Sequence, residues 1–148
     1  MPLQVDNTSF ELSTREELEF IDLTERVLEF VAGSDVVDGL VNIQTLHTTT
    51  AVIVNENEPL LLQDIRKRLE EFASKQLTYS HDNFEIRTVN MCDDECRNGH
   101  SHCKAITLPT SITLNIIDRK LQLGRWQRIF LVELDRARKR KVLVQILG

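Results

Sequence analysis

The alternation of apolar and polar positions predicts two adjacent strands followed by a helix in the first half of the chain. Residues Leu40–His47 alternate apolar and polar side chains, as a half-buried strand does. The next segment, Thr48–Val54, is rich in β-branched residues, which favour strands over helices. Apolar residues then recur at spacings of four, four and three, which predicts an amphipathic helix over about 59–75.

The segments at the two ends of the chain add further elements. Short strands are predicted at Ser9–Ser13 and Glu17–Asp22, and a helix begins after Asp22. We expect Gly33 to end that helix in the left-handed conformation. A turn of helix is predicted at His102–Ile106.

Three strand-like runs follow Pro109 and predict a C-terminal meander. They are Ser111–Ile117, Trp126–Leu134 and Lys141–Leu147, joined by turns at Asp118–Lys120 and Asp135–Ala137. The sequence therefore predicts an α+β fold with a β-sandwich core and two to three helices. At 148 residues, we expect a single domain over 1–148.

Composition restricts the classes of function. A formal net charge of −5 argues against a general nucleic-acid binder. No signal peptide and no apolar run of membrane-spanning length is evident, which predicts a cytoplasmic protein with reduced cysteines that does not bind membranes. Positive charge concentrates between Arg119 and Lys141, which indicates either a solvated face or an anion site.

Chemistry-bearing side chains concentrate in the segment 91–105, which holds all three cysteines and two of the four histidines. One interpretation is a structural zinc site formed by Cys92, Cys96, His100 and Cys103. The acidic residues at 93–95 oppose it, because nearby negative charge disfavours the thiolate form of cysteine. The simpler alternative is a loop whose cysteines have no special role.

A second arrangement uses histidines that lie far apart along the chain. His47, His81 and His102 would supply three ligands and leave one position open, which is the pattern of catalytic metal centres. Glu56, in Asn55-Glu56-Asn57 at the end of a predicted strand, is a candidate acid or base, although a plain turn explains it equally well.

Several motifs together resemble the YjbQ family, sometimes described as secondary thiamine-phosphate synthases. The similarity runs in order from about Gly39 to the C-terminus. The matching stretches are Leu46-His47-Thr48-Thr49-Thr50-Ala51-Val52 with Asn55-Glu56-Asn57, Tyr79-Ser80-His81-Asp82, Asn98-Gly99 through His102-Cys103-Lys104-Ala105, Ser111-Ile112-Thr113-Leu114, Leu123-Gly124-Arg125-Trp126-Gln127, and Asp135 through Arg138 to Val142. The chain departs from the family pattern at Leu108–Ser111, Asn115 and Ala137.

The resemblance implies a compact α+β sandwich that forms a homotrimer, with His47, His81 and His102 clustered in a surface cleft. It also implies a thiamine-phosphate synthase-like transferase acting on phosphorylated small molecules. In such a reaction Arg138 and Arg125 would stabilise the departing diphosphate, helped by a divalent metal, zinc or magnesium.

Two other functions remain open from the sequence. One is a metal-dependent hydrolase in which the three histidines hold zinc and Glu56 acts as general base. The other is a non-enzymatic trimer that binds a metal or a metabolite.

Overall fold

The structure, a computed structural model, describes residues 2–148 and confirms the predicted α+β class. The strands of this part of the chain are β1 (Val5–Ser13), β2 (Phe20–Asp22), β3 (Gly39–Thr45), β4 (Thr50–Asn55), β5 (Ser111–Ile117), β6 (Lys120–Leu121), β7 (Arg128–Glu133) and β8 (Lys139–Leu147). Its helices are α1 (Thr24–Ala32), α2 (Pro59–Phe72) and α3 (Gly99–Ala105), with one 3₁₀ turn, η1 (Ser80–Asp82). No helix in these residues is long and apolar enough to cross a membrane.

Two antiparallel sheets form the centre of the fold. The larger has the strand order β1-β8-β3-β5-β6, and the smaller has the order β2-β7-β4. Apolar side chains from both sheets and from α1 form the main core, including Ile43, Val144, Leu131 and Val27. The helix α2 packs Leu62 and Leu69 against the other face of the smaller sheet, where Phe130 and Val132 belong to a second apolar cluster.

The predicted C-terminal meander is wrong at the connection between β7 and β8. All but the first residue of β7 are buried, because both faces of its sheet are covered, whereas β8 alternates buried and exposed positions. The two strands belong to different sheets, so the segment Asp135–Ala137 crosses between sheets and is not a hairpin turn. The predicted turn at Asp118–Arg119 does connect paired strands, β5 and β6, with φ values of 51° and 61°.

The helices α1 and α2 begin close to the predicted positions, whereas the end of α1 differs from its prediction. Asp22 accepts a hydrogen bond from the backbone N–H of Thr24 at 2.9 Å, and the Glu58 carboxylate accepts from the backbone N–H groups of Leu60 and Leu61. Gly33 has a φ of −82°, so the predicted left-handed end of α1 is wrong: its N–H continues the helical pattern by donating to the Glu29 carbonyl.

Candidate functional site

A cleft of about 560 Å³ opens where the β3–β4 connection, η1, the segment before α3 and the start of β8 meet. Four of the six residues singled out from the sequence line this cleft: His47, His81, His102 and Arg138. Several other side chains that line the cleft were not among the predicted site residues: Arg87, Asp94, Asn98, Arg136 and Arg140.

Asp82 brings two of the histidines together. Its Oδ1 accepts hydrogen bonds from the backbone N–H groups of Asn98 and Gly99, both at 2.9 Å, and so joins η1 to the start of α3. His81 in η1 and His102 in α3 consequently lie edge to face, with ring centroids 4.7 Å apart. Gly99 is required at this junction because a Cβ there would lie 2.5 Å from the Cβ of Tyr79.

His47 lies in the short connection between β3 and β4. The Thr45 hydroxyl accepts from the backbone N–H of His47 at 3.3 Å and shares a hydrogen bond with the Thr50 hydroxyl, which closes the connection. The His47 Nε2 accepts a hydrogen bond of 2.9 Å from the backbone N–H of Lys141. This nitrogen is therefore occupied by the protein itself, and a neutral ring carries its proton on Nδ1.

The predicted three-histidine metal centre is wrong. Within residues 2–148, no group of three or more His, Cys, Asp or Glu side chains could hold a metal ion. The structure provides a pair, His81 and His102, while the Nε2 of His47 is engaged by β8. The alternative zinc site in the segment 91–105 fails the same test, and His100 instead contacts Glu17 at 2.9 Å. A metal ion that arrives with a bound phosphate compound stays a prediction.

A buried ion pair forms the floor beside His47. Glu133 is 0% exposed and Arg140 is 3% exposed at their side chains, and the two are joined by bonds of 2.6 and 2.7 Å. Thr14 and the backbone N–H of Asp135 also donate to the Glu133 carboxylate, and Arg140 donates to the Thr49 hydroxyl at 3.0 Å. Because these groups satisfy one another's hydrogen bonds, Arg140 contributes positive charge and a rigid wall to the cleft and has few free donors for a ligand.

Arg136 and Arg138 are less fully engaged. Each guanidinium lies 3.4 Å from the Asp135 carboxylate, and they approach the Asp94 carboxylate at 3.4 and 4.0 Å respectively. Arg136 also contacts the thiol of Cys96 and the Asp94 carbonyl. Arg138 makes only the one hydrogen bond to Asp135 through its side chain within the described residues. Since a guanidinium has five N–H donors, most donors of Arg138 remain available.

Arg87 holds the long segment before α3 against the cleft. It donates to the carbonyls of His81 and Asn90 and to the Glu95 carboxylate, at 3.3, 2.8 and 3.1 Å. Burial, followed by the negative charge of Asp135, raises the pKa of the Cys96 thiol, so this cysteine is not an activated nucleophile.

The environment favours neutral imidazoles in the cleft. Burial, followed by the positive charge of Arg140, lowers the pKa of His47. Burial, followed by the neighbouring His81, lowers the pKa of His102. Both rings are therefore mostly neutral at pH 7. His102 can donate one hydrogen bond and accept another, whereas His47 already accepts from Lys141 and can only donate, from Nδ1.

The remaining two predicted residues lie elsewhere in the protein. Glu56 and Arg125 line a separate depression with Trp126, and the Arg125 guanidinium stacks 4.6 Å above the Trp126 ring. A larger depression of about 890 Å³, lined in part by Tyr79 and His100, contains none of the six predicted residues. The structure thus unites Arg138 with the histidines and leaves Glu56 and Arg125 outside the cleft.

Comparisons with known proteins agree on one family. The family model described as "UPF0047 protein YjbQ-like" matches residues 8–148. A UPF0047 protein of Archaeoglobus fulgidus is 37% identical over 92% of this chain and 97% of its own, and one of Methanothermobacter thermautotrophicus is 34% identical over 99% and 94%. A solved structure from Sulfolobus solfataricus, described as a YbjQ-like protein of unknown function, is 32% identical, covers 99% of both chains and has a TM-score of 0.88.

These findings correct the predicted activity. The names of these relatives state no reaction, and none mentions thiamine phosphate or a transferase. The prediction of a thiamine-phosphate-forming transferase is therefore wrong. The predictions of a metal-dependent hydrolase and of a metal-binding trimer are also wrong, because both required the three-histidine metal centre.

Proposed function

The chain belongs to the YjbQ-like UPF0047 family, and on that premise we propose that its cleft binds a small molecule through a phosphate group. The observation that carries this proposal is the position of Arg138. Its guanidinium is about one-third exposed, lines the cleft, and has a single side-chain hydrogen bond of 3.4 Å among the described residues. A planar guanidinium can hold a phosphate by two parallel hydrogen bonds, which suits this donor to a phosphate group.

The charges around Arg138 favour an anion of small size. Five cationic side chains line the cleft, against the carboxylates of Asp94 and Glu95. Two of the five are committed elsewhere, since Arg140 pairs with Glu133 and Arg87 pairs with Glu95. The cationic side chains left for a ligand are those of Arg136, Arg138 and Lys139, which could surround one phosphate but not a long polyanion.

Asp94 occupies the place that a phosphate would take. Its side chain is 73% exposed and approaches both Arg136 and Arg138 at 3.4–4.0 Å, longer than a good charge-assisted hydrogen bond. Exposed ion pairs of this kind contribute about 1 kcal/mol or less. A phosphate dianion can therefore displace Asp94 from the two arginines at small cost.

The neutral histidines complete the proposed site. The uncharged rings of His47 and His102 can each donate to a phosphate oxygen without the desolvation penalty of a buried cation, and His102 can also take up a proton when a dianion arrives. We further infer a cytoplasmic homotrimer, as the family resemblance implies. The free cysteines fit a reducing compartment, and exposed Leu40, Ile117 and Leu143 on the larger sheet suit association of subunits.

The test is calorimetric titration of the protein with inorganic phosphate at fixed ionic strength. Arg138→Lys removes the planar two-donor geometry and should weaken binding by about 1.5–3 kcal/mol, the scale of a charge-assisted hydrogen bond. Asp94→Asn should act in the opposite direction and tighten binding about threefold, since it removes a competing carboxylate.

Arg119→Lys is the matched control, because Arg119 is an exposed arginine at the β5–β6 turn whose ion pair with Asp35 is 3.9 Å long. It should leave phosphate binding unchanged. Equal affinities for wild type, Arg138→Lys and Asp94→Asn would remove Arg138 from the site, and absence of binding by wild type would reject the proposal.

A further inference from the structure

Two buried polar atoms have no hydrogen-bond partner among residues 2–148, and both belong to side chains that line the same cleft. They are Oδ1 of Asn98 and Nε2 of His81. Leaving a buried polar atom without a partner costs about 1–3 kcal/mol, so such atoms are rare in folded proteins. Because both belong to residues that line the cleft together with Arg138, they indicate a demand for hydrogen bonds there that the protein itself does not meet.

The side chain of Asn98 is fixed in one orientation. Its Nδ2 donates to Oδ2 of Asp135 at 3.3 Å. The reversed amide would direct the Asn98 oxygen at a carboxylate, which is an acceptor and would repel it. Oδ1 is therefore the acceptor left over, and the sequence gives no means of seeing this assignment because it depends on Asp135, 37 residues further along the chain.

The backbone of Asn98 is equally fixed. Its N–H and that of Gly99 both donate to Asp82, and Asn98 is only 5% exposed. The backbone is therefore held in place, and rotation of the side chain to another partner would break the bond from Nδ2 to Asp135. An acceptor held in this way selects a ligand that brings a hydrogen-bond donor to it.

We propose that the phosphate-bearing ligand also carries a hydroxyl group, and that Asn98 selects this hydroxyl through Oδ1. This inference rests on the proposed phosphate site. A hydroxyl fits better than an ammonium group, because the arginines that line the cleft repel a second cation. A hydroxylated ester also brings acceptor oxygens to the cleft, which can satisfy His81 Nε2 when that nitrogen carries the proton. The ligand class is thus a hydroxylated phosphate ester, of which the phosphorylated polyols and sugars are examples.

The experiment compares two esters with the same three-carbon chain. Calorimetry of wild type with glycerol 3-phosphate and n-propyl phosphate should give roughly tenfold tighter binding of the hydroxylated ester, the scale of one hydrogen bond to an otherwise unpartnered buried group. In Asn98→Ala this ratio should fall to about one, while affinity for inorganic phosphate should stay close to that of wild type.

Each other result overturns one identifiable step. A wild-type ratio near one, or a ratio that persists in Asn98→Ala, would refute selection of a hydroxyl by Asn98 while leaving phosphate binding intact. Tighter binding of 2-aminoethyl phosphate than of glycerol 3-phosphate would refute the choice of hydroxyl over ammonium. Failure of wild type to bind inorganic phosphate would reject the proposed function itself. If Asn98→Ala does not fold, Asn98→Ser keeps a small polar group at this position, and the wild-type ratio still decides.

Discussion

Replacement of Glu133 by glutamine should be among the most destabilising conservative changes in this protein. The Glu133 carboxylate is fully buried and accepts four hydrogen bonds, two from Arg140, one from the Thr14 hydroxyl and one from the backbone N–H of Asp135. Glutamine has the same shape but replaces one acceptor oxygen by an NH₂ group. Two of the four donors would then face another donor, and the buried charge of Arg140 would lose its counter-ion.

The magnitude follows from that geometry. Removing one partner of a buried ion pair costs about 3–5 kcal/mol, because the remaining charge stays buried without compensation. The free energy of unfolding of a natural domain is only about 5–15 kcal/mol, so Glu133→Gln should remove a large fraction of it. The matched control is Glu71→Gln, which breaks the exposed pair with Arg68 and should cost about 1 kcal/mol or less.

Urea unfolding followed by circular dichroism measures both variants. A double replacement, Glu133→Leu with Arg140→Met, separates the cost of the stranded charge from the cost of altered packing. It should lose less stability than Glu133→Gln, since apolar side chains of similar volume often replace buried ion pairs without loss, and the remaining loss comes from the Thr14 hydroxyl and the Asp135 N–H, which lose their acceptor. If Glu133→Gln lowers the free energy of unfolding no more than Glu71→Gln does, Arg140 does not depend on Glu133 as its counter-ion.

Three further predictions concern the cleft, one turn and the assembly. Sulfate, whose charge does not titrate between about pH 5 and 8, should bind more tightly at about pH 5.5 than at about pH 7.5, because a bound dianion raises the lowered pKa of His102 and binding then takes up a proton; titration of His102→Gln should show a weaker pH dependence, and an unchanged one would contradict this. Arg119→Gly should raise the free energy of unfolding by about 1 kcal/mol, since residue 119 has a φ of 61°, and Asp35→Asn controls for the lost exposed ion pair. Light scattering at micromolar concentration should give the mass of a trimer, and a monomer there would count against the assembly.

The sequence predicted most of the elements because local patterns determine them. The strand β5 was bounded correctly, and α2 begins at Pro59 as the proline and the apolar spacing indicated. The placement of β7 and β8 in different sheets was not predictable from their closeness in sequence. The strand β7 is the central strand of a sheet that is covered on both faces, so its residues do not alternate between apolar and polar. Without that alternation, the sequence does not show which sheet the strand joins.

The site was predictable in part. Histidines in three separate motifs pointed to the region of His47, His81 and His102, yet the number of available ligands depends on hydrogen bonds such as that from Lys141 to His47, which no sequence pattern reveals. The positive charge between Arg119 and Lys141 left a solvated face and an anion site open, and burial distinguishes Arg138 from Arg140 within it. Arg140 occupies an inward-facing position of β8 and is neutralised by Glu133, whereas Arg138 precedes the strand and stays partly exposed.

The most direct test of the phosphate site is a crystal structure of the protein soaked with tungstate. Tungstate mimics phosphate, and its anomalous scattering shows where it binds. We expect a tungstate ion in the cleft within hydrogen-bond distance of the Arg138 guanidinium, beside the pair of His81 and His102, with the Asp94 carboxylate displaced. Tungstate found only on other basic surfaces, such as those around Arg119 or Arg125, would contradict the central claim that this cleft is a phosphate site.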